Sequence, residues 1–99
     1  MHSIAQPRYI RVHEKDNVAV VVNEGGLPAG SRFACGLVLA EAVPETYKIA
    51  LAELDEGEAI ARYGAVIGYA NRGIARGCWV QRQWRLNNPQ FLAFENSSV

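Results

Sequence analysis

LDEGEAIARYGAVIGYANRGIARGCWV, residues 54–80, is read either as helix followed by strand or as one continuous ribbon, and the fold turns on which reading holds. The helical argument covers LAELDEGEAIARYG, residues 51–64. It is weak, because Gly57 falls mid-window at a cost of about 1 kcal/mol relative to alanine and the apolar residues do not hold a 3.6-residue period. AVIGYA (65–70) and CWV (78–80) are short, rich in β-branched or aromatic residues and bounded by glycine, which is how strands read. The ribbon reading is therefore preferred.

Two units inside this stretch, LDEGEAI at 54–60 and IARGCWV at 74–80, share a pattern of apolar residue, two variable residues, glycine, two variable residues and apolar residue. LPAGSRF at 27–33 repeats it, and VPETYKI at 43–49 has the same outline with Thr46 in the glycine place. In each copy the first apolar residue leaves a strand for the core, the glycine takes a turn conformation that L-residues avoid, and the last apolar residue anchors the next strand. Four copies at uneven intervals are too few for a solenoid. Further strand signals lie at YIRVH (9–13), NVAVVV (17–22), LVLA (37–40) and YKIAL (47–51). The expectation is a mostly β chain, a long ribbon folded over itself in a single small domain at 9–84, with an N-terminal arm at 1–8 and a C-terminal tail at 85–99.

Ninety-nine residues, about half of them apolar and a fifth charged, suit one globular domain. No apolar run reaches the roughly 18 residues of a membrane helix, and the opening residues lack a secretory apolar stretch, so a cytoplasmic chain with no membrane partner is expected. Cys35 and Cys78 have no CxxC companion and read as free thiols in or near the core. Net charge is zero but segregated: residues 1–61 carry nine acidic and five basic side chains, whereas 62–99 carry five arginines and only Glu95. Such a half-chain suits an anion or the acidic face of a partner; nucleic acid is disfavoured because no aromatic-basic reader motif is present. FLAF (91–94) is a candidate for packing back on the domain or docking on another chain.

YIRVHEKDNVAVVVN (9–23), GLPAGSRF (26–33) and above all IARYGAVIGYANRGIARGCWV (60–80) are similar to the SAF domain of the galactarate and altronate dehydratase family, found there as an N-terminal domain or a small subunit. The resemblance covers roughly three-quarters of the chain and is nearer the galactarate branch. It implies a β-clip, a β-ribbon folded twice over itself. It also implies a larger catalytic domain or subunit that binds a divalent metal, iron or manganese, and dehydrates aldaric or aldonic acids to 2-keto-3-deoxy acids. This chain alone is then not catalytic, and homo-oligomerisation is left open. The competing reading is a stand-alone carbohydrate-binding or assembly module.

Where the family usually has I-P-x-G-H-K-V-A-L, this chain has VPETYKIAL, so Thr46 and Tyr47 replace glycine and histidine while Lys48 is kept. A β-branched residue is strained at positive φ, which predicts that the turn has changed shape. A tyrosine phenol, with a reference pKa near 10, replaces a histidine only if strongly perturbed. Dehydration needs a base, an acid for the leaving hydroxyl, and cations for the carboxylate. His13, Lys48 and Tyr47 are the catalytic candidates. Arg62, Tyr63, Asp16 and Asn17 are the substrate-binding candidates, with Asp16 and Asn17 also serving as a turn. No cluster has metal-ligand spacing, so no metal site is expected within this chain.

Overall fold

The computed structural model describes residues 6–81 and 83–86. Among them there is no helix, and therefore none long and apolar enough to cross a membrane. The order is β1 (Tyr9–Ile10), β2 (Val18–Val21), β3 (Lys48–Ala50), β4 (Ala59–Arg62), β5 (Ala65–Ala70) and β6 (Trp84–Arg85). They form two antiparallel three-stranded sheets, β1-β2-β3 and β4-β5-β6. The fold is mostly β, a ribbon doubling back on itself, and residues 51–64 are turn and strand instead of helix.

The four turn units superpose in their bonding. Each is a four-residue turn closed by an N–H donated to the carbonyl three residues back: Ser31 to Pro28, Tyr47 to Pro44, Glu58 to Asp55 and Cys78 to Ala75. The third residue of each has positive φ, 87° at Gly30, 75° at Thr46, 88° at Gly57 and 89° at Gly77, as a type II turn requires. That residue's own N–H crosses to a neighbouring stretch of the ribbon, to the carbonyls of Leu39, Val21, Ala70 and Ala50 respectively. Thr46 thus keeps the glycine conformation, against the expectation of a reshaped turn. The cross-ribbon bond to Val21 (2.8 Å) and the closing bond from Tyr47 (3.2 Å) hold it there despite the side chain. The units also pair, Leu27 with Val43 and Leu54 with Ile74, each by two reciprocal backbone bonds.

LVLA and CWV are not regular strands. Val38 and Trp79 each make an isolated bridge, to Arg32 and Ile49. The turns recur every few residues there, and the ribbon crosses itself closely: a Cβ on Gly77 would lie 2.3 Å from the Val38 carbonyl oxygen. YIRVH likewise stops pairing after Ile10, because residues 13–16 close a turn in which Asp16 donates its N–H to the His13 carbonyl.

β2 and β3 lie between two apolar clusters, and strand alternation sorts their residues. Val18 and Ala50 join Leu54, Ile60, Ala70, Ile74 and Val80; Ala19, Val21 and Ile49 join Phe33, Leu37, Leu39 and Val43. Each fully buried branched side chain contributes about 1.5–3 kcal/mol, so these two clusters dominate stability in the absence of helices. Both cysteines are free, but only Cys78 is partly buried against the core; Cys35 is exposed, because it occupies a turn closed by the Gly36 N–H on the Phe33 carbonyl.

Candidate functional site

Arg62 and Ala65 face each other across β4 and β5, leaving Tyr63 and Gly64 as the two turn residues of a hairpin. Both have positive φ, 59° and 74°, the type I′ geometry that matches sheet twist. Glycine adopts it freely, whereas tyrosine is strained by about 1–2 kcal/mol. The compensation comes from Asp16, 3% exposed, whose carboxylate accepts the N–H of Tyr63 (3.0 Å), of Gly64 (2.8 Å) and of His13 (3.0 Å). Burial pushes the Asp16 pKa upward, but the amides of Gly64, Tyr63 and His13, helped by the His13 ring, hold it below the ordinary value. Asn17 completes the clamp: its amide donates to the Ala59 carbonyl and its carbonyl accepts the Ala61 N–H, both at 2.9 Å, stitching β2 to the outer edge of β4.

This clamp brings His13 to the hairpin tip. Its imidazole packs so closely on Gly64 that a Cβ there would fall 2.9 Å from Cδ2. Lys15 donates its backbone N–H to Nδ1 (3.0 Å), so a neutral ring carries its proton on Nε2 and offers a donor to solvent, not a lone pair. Beside it the Arg62 guanidinium stacks on the exposed Tyr63 ring, 4.5 Å from the centroid, and donates to the Tyr63 hydroxyl at 2.8 Å. Arg62 Nε is buried without a hydrogen-bond partner.

Lys48 reaches the same region from β3. Its Nζ lies 5.7 Å over the Trp84 ring, and its pKa is pushed below the usual lysine value, first by burial and then by the charge of Arg62. Trp84 in turn lies on Gly68 of β5, where a Cβ would meet the indole at 2.3 Å. Among the described residues no carboxylate pairs with either cation.

A family model described as the altronate/galactarate dehydratase SAF domain matches residues 7–86. The chain belongs to that family. The SAF domain is 53% identical over 72 residues to galactarate dehydratase (L-threo-forming) of Escherichia coli strain K12, covering 73% of this chain and 14% of that relative. It is 34% identical over 76 residues to altronate dehydratase of the same strain, covering 74% of this chain and 15% of that relative. It thus spans about one-seventh of the relatives it matches, each far larger than the SAF domain alone.

Of the candidates read from sequence, the SAF domain gathers His13, Asp16, Asn17, Arg62 and Tyr63 at one corner, with Lys48 beside Arg62. Tyr47 is not among them. It shares its side of the ribbon with Ile49, where its ring meets Trp79 edge-on at 5.4 Å, while Lys48 faces the other core. Beyond Trp79 opens a groove of about 500 Å³, walled by Gly26, Leu27, Pro28, Val43 and Pro44 and devoid of titratable side chains. Trp84 was missed by the sequence reading; the signal available was an aromatic residue four positions beyond the last strand-like stretch. No three His, Cys, Asp or Glu residues gather among the described residues, so the donors present do not fit a divalent metal. FLAF lies outside the described residues.

Proposed function

We propose that this SAF domain is the N-terminal domain or small subunit of a sugar-acid hydro-lyase that dehydrates aldaric or aldonic acids to 2-keto-3-deoxy acids together with a larger metal-bearing domain. The observation that carries this reading is the corner in which one buried carboxylate, Asp16, fixes His13 and the strained Arg62–Tyr63–Gly64 tip against each other. Strain retained at an exposed tip, and held by a dedicated clamp, is characteristic of functional geometry.

In the reaction a C–H bond beside the carboxylate breaks, its electrons form a carbon–carbon double bond, and the neighbouring hydroxyl leaves as water. The resulting enol becomes the 2-keto acid. The Nε2–H of His13 is suited to hydrogen-bond the departing hydroxyl, and the cations Arg62 and Lys48 to orient the carboxylate and offset the charge that develops on it. A divalent ion, iron or manganese, would supply Lewis acidity from the larger domain. The base is also assigned to that domain, since Nδ1 of His13 is taken by the Lys15 N–H and Nε2 is left as a donor.

A second reading, a stand-alone carbohydrate-binding or assembly module, is favoured by Tyr47 standing where the family has histidine and packing on Trp79 beside an uncharged groove. Reconstitution separates the two. The domain is joined to the larger part of its own enzyme and dehydration of galactarate and altronate is followed by 2-keto acid release. His13→Gln is expected to lower kcat by 10²-fold or more, as loss of a positioned acid does. Thr46→Gly with Tyr47→His is expected to leave turnover unchanged. Full activity in His13→Gln, or no activity with any sugar acid, would favour the module.

A further inference from the structure

The strongest unmatched feature of the surface is electrostatic. Lys48 and Arg62 come from segments that meet only in the folded ribbon, and each holds its position by stacking on an aromatic ring instead of pairing with an acid: Lys48 over Trp84, Arg62 over Tyr63. Trp84 is seated on Gly68, which has no room for a side chain, and the Tyr63 backbone is tied to Asp16. Arg85, opposite Tyr69 on β5 and adjacent to Trp84, adds a second guanidinium whose Nε is buried without a partner, like that of Arg62. Gly68, which Trp84 covers, pairs with Ile60, two residues before Arg62 on β4, so the register brings the Lys48–Trp84 pair towards Arg62, whose charge lowers the Lys48 pKa. Two like charges so placed, partly desolvated and unpaired among the described residues, are destabilising in the free domain unless an anion completes them.

We infer that Lys48, Arg62 and Trp84 form a carboxylate subsite for a small sugar acid, with Trp84 as the flat wall against which the carbon chain lies. This rests on the proposed function and goes further, by naming the subsite and by requiring that the 99-residue chain bind the acid without its larger partner. An ammonium and a guanidinium fork recognise a carboxylate through charge-assisted hydrogen bonds. An indole face presents a flat apolar surface to the C–H groups of a polyol chain, leaving the hydroxyls for His13 and for water.

A carboxylate can arrive on a free acid or on a side chain of the larger domain, and the test distinguishes them. The isotope-labelled chain is titrated, at neutral pH and low salt, with galactarate, with a blocked aspartate standing for a protein carboxylate, and with galactitol as the uncharged analogue. The Arg62 Nε–H and Trp84 Nε1–H resonances are followed. The expected result is saturable movement of both with galactarate alone, weakened about tenfold in each of Lys48→Met and Arg62→Met, with the rest of the spectrum retained as evidence of folding. Equal movement with blocked aspartate would overturn the sugar-acid assignment in favour of a partner side chain. No movement with either acid, or the same movement with galactitol, would overturn the carboxylate subsite. Because this readout needs no turnover, binding without activity after reconstitution would leave the subsite standing while the hydro-lyase reading fell.

Discussion

Thr46 and Asp16 show how much conformational constraint single residues absorb. Thr46 stands at φ 75° in a turn whose three counterparts are glycine. A β-branched residue there costs about 1–3 kcal/mol, and glycine returns part of that as extra unfolded-state entropy. Thr46→Gly is therefore expected to stabilise the domain by about 0.5–1 kcal/mol, read as a higher urea midpoint with unchanged slope; a lower midpoint would mean that the threonine side chain contributes more than its strain. Asp16 works in the opposite sense, holding a strained neighbour in place. Its folded pKa lies below the unfolded value of about 4, so its stabilisation is complete above that value and is lost as pH falls through the folded pKa. In acid titrations monitored by circular dichroism, the wild-type chain should lose stability below about pH 4, and the difference from Asp16→Asn should shrink over the same range.

The β4–β5 hairpin is positioned from outside itself. Its edge strand would be left with a free C=O at Ala59 and a free N–H at Ala61, but the Asn17 side chain occupies them as a peptide group would. Asn17→Ala removes two such bonds, each worth about 0.5–1.5 kcal/mol. The Ala61 amide should then exchange with solvent much faster, while the Gly57 amide, bonded to the Ala70 carbonyl, changes only as global stability does. Hydrogen exchange by NMR reads both in one experiment. This clamp also marks what could be read from sequence and what could not. The turn units announced themselves, because a positive φ nearly demands glycine and three of the four have it. AVIGYA at 65–70 was legible as a strand for the same kind of reason, its glycine and β-branched residues being local signals. LVLA and CWV misled, since their apolar content reports burial at Leu37, Leu39 and Val80, and the pairing is decided by turns that bring distant carbonyls within reach. The joint work of Asp16 and Asn17 on residues more than 40 positions away has no local signature at all.

At the scale of the whole molecule, the sequence already showed that arginines dominate the C-terminal half, but only the fold shows that the charge of Arg62 is the one felt by Lys48 and that no described carboxylate pairs with either. The chain spans about one-seventh of the relatives it matches, and on the proposed reading the uncompensated charge pair is surface that the larger domain or its substrate would complete. Lys48 has a folded pKa below its unfolded value near 10.4, so its charged form is disfavoured by folding: the penalty is fully present below the folded pKa and disappears as pH rises through it towards the unfolded value. Lys48→Met should consequently have a higher urea midpoint than wild type at pH 7, with the gap narrowing in alkaline buffer. A ligand that binds only the folded state stabilises it by mass action. Galactarate at neutral pH should then raise the wild-type midpoint and leave that of Lys48→Met nearly unmoved, closing the difference from the other side. A midpoint for Lys48→Met at or below wild type would show that the lysine stem's packing on Trp84 outweighs the cost of its charge, and that the corner is stable without an anion.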